Sequence, residues 1–199
     1  MKIPVAKALF NSHSYSEYRK LVSDLLLEGK STGKEQSEDL TLYSTLNETR
    51  MNRLDKTMKI SDENILKLKS LKSEYIWLVI SEGWCGDAAQ LLPIMNKMAE
   101  ESGKIDLRIA LRDENEELMK LFLTDKKKSI PILIVVDKET GSVLGNWGPR
   151  PHAAADLVNH YKKEFGAIDK TLNNNLQLWY LHDKGIATQN ELVSLMLNL

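Results

Sequence analysis

From residue 75 onward the hydrophobic period of the chain changes, and this change limits what it can fold into. "YIWLVIS" (75–81) is a continuous apolar run with β-branched and aromatic residues, too short for a free-standing helix, and reads as a buried strand. "CGDAAQLLPIMNKMAEES" (85–102) returns to helical spacing, with Leu91, Leu92, Met95 and Met98 on one face and Pro93 as an expected kink. "KIDLRIALRD" (104–113) reads as a strand, "ENEELMKLFLT" (114–124) as a helix and "IPILIVVD" (130–137) as a second buried strand. A turn at "KETGSV" leads into "VLGNWG" (143–148), and "PHAAADLVNHYKKEF" (151–165) is a helix with proline at its start. The order β-α-β-α-β-β-α predicts an α/β fold, a central mixed sheet flanked by helices.

The flanks differ from this centre. Residues 14–28 carry Tyr18, Leu21, Val22, Leu25 and Leu26 at helical spacing and stop at Gly29. Residues 30–39 are polar and turn-rich, which predicts a mobile loop. Further helices are expected over 40–58 and 61–71, the latter capped by Ser61 or Asp62. Residues 167–199 add one or two helices. The predicted organisation is therefore a helical extension over 1–73, an α/β domain over 74–166, and a helical tail over 167–199 packed on the same core.

Composition narrows the function. At 42% hydrophobic and 28% charged residues, the 199-residue chain belongs to the globular class and is long enough to bury a core without disulfide or metal staples. A net charge of −1 argues against a general nucleic-acid binder. One cysteine excludes an intrachain disulfide and any cysteine-rich metal centre within one chain. His13, His160 and His182 lack metal-ligand spacing, so neither a metal nor a cofactor is expected. No stretch approaches the roughly 20 apolar residues that span a bilayer, and the start has no signal-peptide pattern, so a cytoplasmic location is expected.

With "WCG" placed where the first long strand meets its helix, the element order resembles the thioredoxin family. Trp84-Cys85-Gly86 matches the start of the family's Trp-Cys-Gly-Pro-Cys motif. Pro93 matches a proline eight residues along the same helix, Ile130-Pro131 matches the cis-proline that faces the catalytic cysteine, and Gly148 matches the glycine after the last strand. The wording "WCGDAAQ" is similar to a bacterial thioredoxin-like subfamily with a helical N-terminal extension. The resemblance implies a thioredoxin-like fold, with Trp84, Gly86, Ile130, Pro131, Trp147 and Gly148 as substrate-binding residues around Cys85. The departures are as informative: Asp87 replaces the motif's proline, Ala88 its second cysteine, and Val79 the family's buried aspartate.

Cys85 and Asp87 are the candidate catalytic residues. A helix N-terminus stabilises a thiolate by about 0.3–1 kcal/mol, and by about 2 kcal/mol if partly buried. The Asp87 charge, at roughly 6 Å, opposes it by about 0.7–2.8 kcal/mol. The expected thiol is less acidic than that of a dithiol thioredoxin, though still accessible. Asp87 is readable either as a first-turn charge that stabilises the helix or as a general base. Arg150 and His152 either bind a carboxylate, support the thiolate, or lie on the surface without a role. A lone cysteine forms a mixed disulfide but cannot release itself, so turnover would need an outside thiol. Cys85-Gly86-Asp87-Ala88 is similar to the Cys-Gly-x-Ser of monothiol glutaredoxins, but their Gly-Gly pair is not evident in "NWGPRPHAAADL". Two functions stay open at this point. One is monothiol exchange with a protein or low-molecular-weight thiol or disulfide; the other is a non-catalytic interaction module holding an extended peptide.

Overall fold

The computed structural model of the chain describes residues 2–199. The chain runs α1 (Ile3–Phe10), β1 (His13–Ser14), α2 (Tyr15–Leu27), α3 (Glu38–Thr57), α4 (Asp62–Lys69), β2 (Tyr75–Ser81), α5 (Gly86–Ser102) and β3 (Ile105–Leu111). A short 3-10 turn (Arg112–Glu114) leads into α6 (Glu116–Leu121), β4 (Ile132–Asp137), β5 (Val143–Trp147), α7 (His152–Phe165), α8 (Lys170–Asp183) and α9 (Ile186–Leu197). The five strands form one mixed sheet in the order β1-β3-β2-β4-β5. β2 runs parallel to β3, pairing Val79 with Ile109, and antiparallel to β4, pairing Val79 with Leu133. The fold is thioredoxin-like α/β, with helices flanking the sheet and further helices at both ends.

Burial explains why β2 stands at the centre. Leu78, Val79 and Ile80 have no exposed surface, and neither do Leu133, Ile134 and Val135 opposite them. Full burial of such side chains stabilises by about 1.5–3 kcal/mol each, which fixes the point where β2 ends and α5 begins. α3 and α4 pack on α5, and α9 packs on α4 and α5. Trp77, fully buried, donates its indole N–H to Met196 Sδ of α9 at 3.2 Å. Arg19 of α2 reaches across to Glu48 at 3.0 Å and to Asp55 of α3. A single buried cluster runs from Val5 to Met196.

Three local expectations change. Residues 30–39 are not a free loop: Ser31 and Thr32 are buried at 3% exposure, because their hydroxyls bond Ser44 of α3 and the Gly83 backbone. The helix expected from residue 40 starts at Glu38, with the Ser37 hydroxyl accepting the Leu40 N–H as N-cap. α1 and β1 were not anticipated. Val5 and Ala8 of α1 are fully buried, and β1 extends the sheet by pairing His13 with Ile109. Among the described residues no helix is long and apolar enough to cross a membrane.

Candidate functional site

The end of β2 turns through Glu82–Cys85, where the Cys85 N–H donates to the Glu82 carbonyl at 3.1 Å, and delivers Cys85 as the N-cap of α5. Its sulfur accepts the Ala88 N–H at 3.5 Å and donates to the Ile130 carbonyl at 3.4 Å. The Ile130-Pro131 peptide is cis. Gly148 lies against it at φ +126, where a Cβ would sit 2.4 Å from the Pro131 carbonyl oxygen, so the close approach of the two loops requires glycine. Cys85, Ile130, Pro131 and Gly148 are thus brought together.

The expectation of an accessible thiol is overturned. Cys85 is 7% exposed. Its surroundings come from outside the central α/β segment: Asn47 of α3 donates to the Gly83 carbonyl at 2.9 Å, and Thr32 accepts the Gly83 N–H at 2.7 Å. A Cβ at Gly86 would lie 3.6 Å from Gln177 of α8 and 3.8 Å from Arg50 of α3. Burial pushes the Cys85 thiol up to about 12, and the Asp87 charge adds to the rise. The Ala88 and Asp87 N–H groups and Arg150 pull the other way without prevailing. At neutral pH the buried sulfur is therefore held as the thiol. Desolvation, which the helix-end balance had left out, decides the acidity.

Asp87 is also buried, and it is held on both oxygens. Tyr180 of α8 donates to Oδ1 at 2.8 Å, and Arg150 reaches Oδ2 at 2.6 Å. Burial raises the Asp87 carboxyl, with the Arg150 guanidinium and the Tyr180 hydroxyl opposing the rise. Tyr180 itself is raised well above its usual value by burial and by Asp87. Arg150 is engaged by the chain's own Asp87 and also pulls the Cys85 thiol toward its charged form. His152 is exposed, with Nδ1 3.0 Å from Glu191.

Sequence reasoning did not find Glu82. It has no exposed surface; Oε1 accepts the Asp113 N–H at 3.0 Å, and Oε2 has no hydrogen-bond partner within normal distance among the described residues. Burial raises its carboxyl against the Thr32 hydroxyl and the Asp113 N–H. The available signal was a carboxylate directly following an apolar strand. The family's buried aspartate position holds Val79, fully buried, while two buried acids of this chain, Glu82 and Asp87, stand three residues before and two after the cysteine.

The two tryptophans of the predicted groove are separately engaged. Trp84 is half-buried, with the Arg112 guanidinium 4.7 Å from its ring centre. Trp147 is 8% exposed and donates its indole N–H to Glu191 of α9 at 2.8 Å. Gly86 opens α5 beside Gln177 and Arg50. Among the described residues no group of three or more His, Cys, Asp or Glu side chains is arranged to hold a metal.

A helix-capping cysteine opposite a cis-proline, on a sheet with β2 parallel to β3 and antiparallel to β4, defines a thioredoxin-type site. A family model described as thioredoxin matches residues 33–163, and the chain belongs to that family. No curated protein matches. Among solved structures, a Pseudomonas aeruginosa protein of unknown function is similar at a TM-score of 0.63 and 17% identity, over 94% of this chain and 98% of its own. An HIV epitope-scaffold is similar at a TM-score of 0.59 and 17% identity, over 94% of this chain and 99% of its own. These likenesses are of the fold alone.

Proposed function

We propose that Cys85 is a latent single thiol that exchanges with disulfides when α8 releases Asp87, and that an external thiol completes the cycle. The observation that carries this reading is the placement of the Cys85 sulfur. It caps α5 and lies 3.4 Å from the carbonyl before cis-Pro131, and Ala88 stands where a second sulfur would be. In the exposed state the Cys85 thiolate attacks one sulfur of a protein or small-molecule disulfide. A Cys85–substrate disulfide forms, the original S–S bond breaks, and the leaving thiolate takes up a proton. A low-molecular-weight thiolate then attacks the substrate sulfur of the mixed disulfide and frees Cys85 as a thiol. The attacked substrate sulfur is left in a disulfide with the external thiol, and a second external thiolate attacks the external sulfur of that disulfide. The substrate disulfide is thus reduced to two thiols, and two external thiols are oxidised to their own disulfide. In the closed state burial keeps the sulfur protonated and out of reach.

The test is the rate at which a disulfide reagent labels Cys85 in the native protein and in Tyr180→Phe. The variant keeps the ring and removes the bond to Asp87. Labelling that is slow in the native protein and at least about tenfold faster in Tyr180→Phe supports gated exchange, since tenfold corresponds to about 1.4 kcal/mol and a hydrogen bond to a charged group contributes about 1.5–3 kcal/mol. A second reading, a non-catalytic thioredoxin-fold module, is favoured by the 7% exposure of Cys85. It takes over if both proteins label only as fast as they unfold globally.

A further inference from the structure

Two cavities meet between α3 and α8, on the outer side of α5. One encloses about 430 Å³ and the other about 640 Å³, and Arg53, Gln90 and Leu181 line both. The first has apolar walls, with Leu54, Met58 and Ile94 on one hand and the exposed Leu181 and Ile186 on the other. It ends at Gly185 (φ +78), where a Cβ would come within 2.8 Å of Ile94 Cδ1 and 3.2 Å of Met58 Cε, so the chain closes tightly there. The second is polar, with Arg50, Thr49, Asn174 and Gln177 in its walls.

The charge of this groove is one-sided. Arg50, Arg53, Lys59 and Lys184 line it, and no aspartate or glutamate does. Elsewhere Arg19, Arg112 and Arg150 each sit against a carboxylate. Arg50 and Arg53 form no ion pair among the described residues, and the one side-chain partner of Arg50 is the Asn47 carbonyl at 2.7 Å. Burial and the neighbouring Arg53 charge lower the Arg50 guanidinium from its ordinary value. Like charges three residues apart on a helix repel one another, so an anion between them relieves that repulsion. In a chain of net charge −1, four unopposed cations around one groove are a local concentration of positive charge. Guanidinium pairs suit the planar, two-oxygen geometry of a carboxylate, and the apolar depth beside them suits a hydrocarbon body.

We infer that this groove binds a small amphipathic carboxylate, with its acid head on Arg50 and Arg53 and its apolar tail in the cavity lined by Leu54, Ile94 and Ile186. The inference does not rest on thiol exchange at Cys85, although Tyr180, which holds Asp87, also lines the first cavity. It sits on helices from the two ends of the chain, so its occupant ties α3 to α8.

Calorimetric titration of the full chain with octanoate, octanol and acetate at neutral pH tests the inference. Saturable one-to-one binding of octanoate is expected, with octanol and acetate each at least about tenfold weaker, because one lacks the charge and the other the tail. Arg53→Glu reverses an exposed charge shared by both cavities and should weaken octanoate by at least about tenfold. Where that variant melts early, Lys184→Glu, also exposed, gives the same reading with a smaller loss. Octanol binding as tightly as octanoate, acetate binding as tightly, or affinity untouched by both reversals would overturn the inference. So would binding to phosphatidylglycerol vesicles without binding of octanoate, which would assign the cations to a lipid surface.

Discussion

The loop at residues 31–37 and the helix α8 both reach the turn from β2 into α5, the first through hydrogen bonds to backbone and the second through Tyr180. Tyr180 shares the buried Asp87 carboxylate with Arg150 of the loop before α7. On the loop side, the Thr32 hydroxyl accepts from Gly83 beside Asn47 of α3, which donates to the Gly83 carbonyl, and the Lys34 N–H donates to the Asp113 carboxylate at 3.3 Å. On the α8 side, Asp87 holds Arg150 and Tyr180 at once. Each neutral bond contributes about 0.5–1.5 kcal/mol, and the contacts on the loop side are several and separate. The ion pair concentrates its effect in three side chains, and losing one partner of a buried pair costs about 3–5 kcal/mol because the other charge is stranded. A closure built in this way is stiff on one side and dependent on a few atoms on the other.

The sharpest way to break this comparison is Arg150→Met, which leaves Asp87 buried without its cation. A loss of about 3–5 kcal/mol is expected at pH 8 in urea denaturation, the largest effect of any change considered for this site. The sign of its pH dependence follows from Asp87. The carboxyl is already raised in the folded state, and removing Arg150 raises it further. The folded variant therefore gains protons relative to the unfolded chain as pH falls, and its deficit should be smaller at pH 5 than at pH 8. Asp87→Leu combined with Arg150→Met should recover most of the loss. A deficit that is small, or that grows on acidification, would mean that the pair is solvated and the α8 side is not ionic in the sense argued.

Tyr180→Phe and Thr32→Val then compare the two sides with one hydroxyl each. Tyr180→Phe removes a bond to a carboxylate and should cost about 1.5–3 kcal/mol; Thr32→Val removes an acceptor from a backbone N–H and should cost about 1 kcal/mol. The stability difference is modest, and the reactivity difference decides. If α8 is the releasing side, Cys85 labelling accelerates in Tyr180→Phe and stays near the native rate in Thr32→Val. Equal acceleration in both would show that the two sides open together.

The same contrast explains what the sequence discloses. The apolar run at 75–81, the β-branched run at 132–136 and Trp84-Cys85-Gly86 between strand and helix are local patterns, so the central mixed sheet, the element order from residue 75 onward and the placement of Cys85 were legible. Asp87 was visible as a first-turn charge, but its partner Tyr180 lies 93 residues away and no local period links them. Thr32 stands in a polar, glycine-containing stretch, and its bond to Gly83, 51 residues on, turns an expected mobile loop into a wall. The burial of Cys85 is the sum of these distant contacts. For that reason the acidity argued from the helix end and Asp87 alone missed its main cause. α1 carried a local sign, a proline at its first turn, and its eight residues were too few for a period to stand out.

The smallest expected effect tests the burial of the sulfur directly. In the folded protein the Cys85 thiol sits at about 12 against an ordinary value of 9.0. The folded state therefore holds a proton that the unfolded chain releases, and the resulting stability is fully present below pH 9 and lost as pH rises from 9 toward 12. Cys85→Ala has no such group. It should carry a constant cost from the lost methylene-sized packing and the missing cap to Ala88, and above pH 9 its disadvantage should shrink by about 1 kcal/mol by pH 10. Tyr18 and Tyr180, whose hydroxyls burial also holds protonated, lose stability at high pH in both proteins and largely cancel in the difference. Parallel urea curves at pH 8, 9 and 10 measure that difference. A gap that stays constant would mean that the sulfur reaches solvent in the folded state, and the α8 side would then not be the barrier that keeps Cys85 latent.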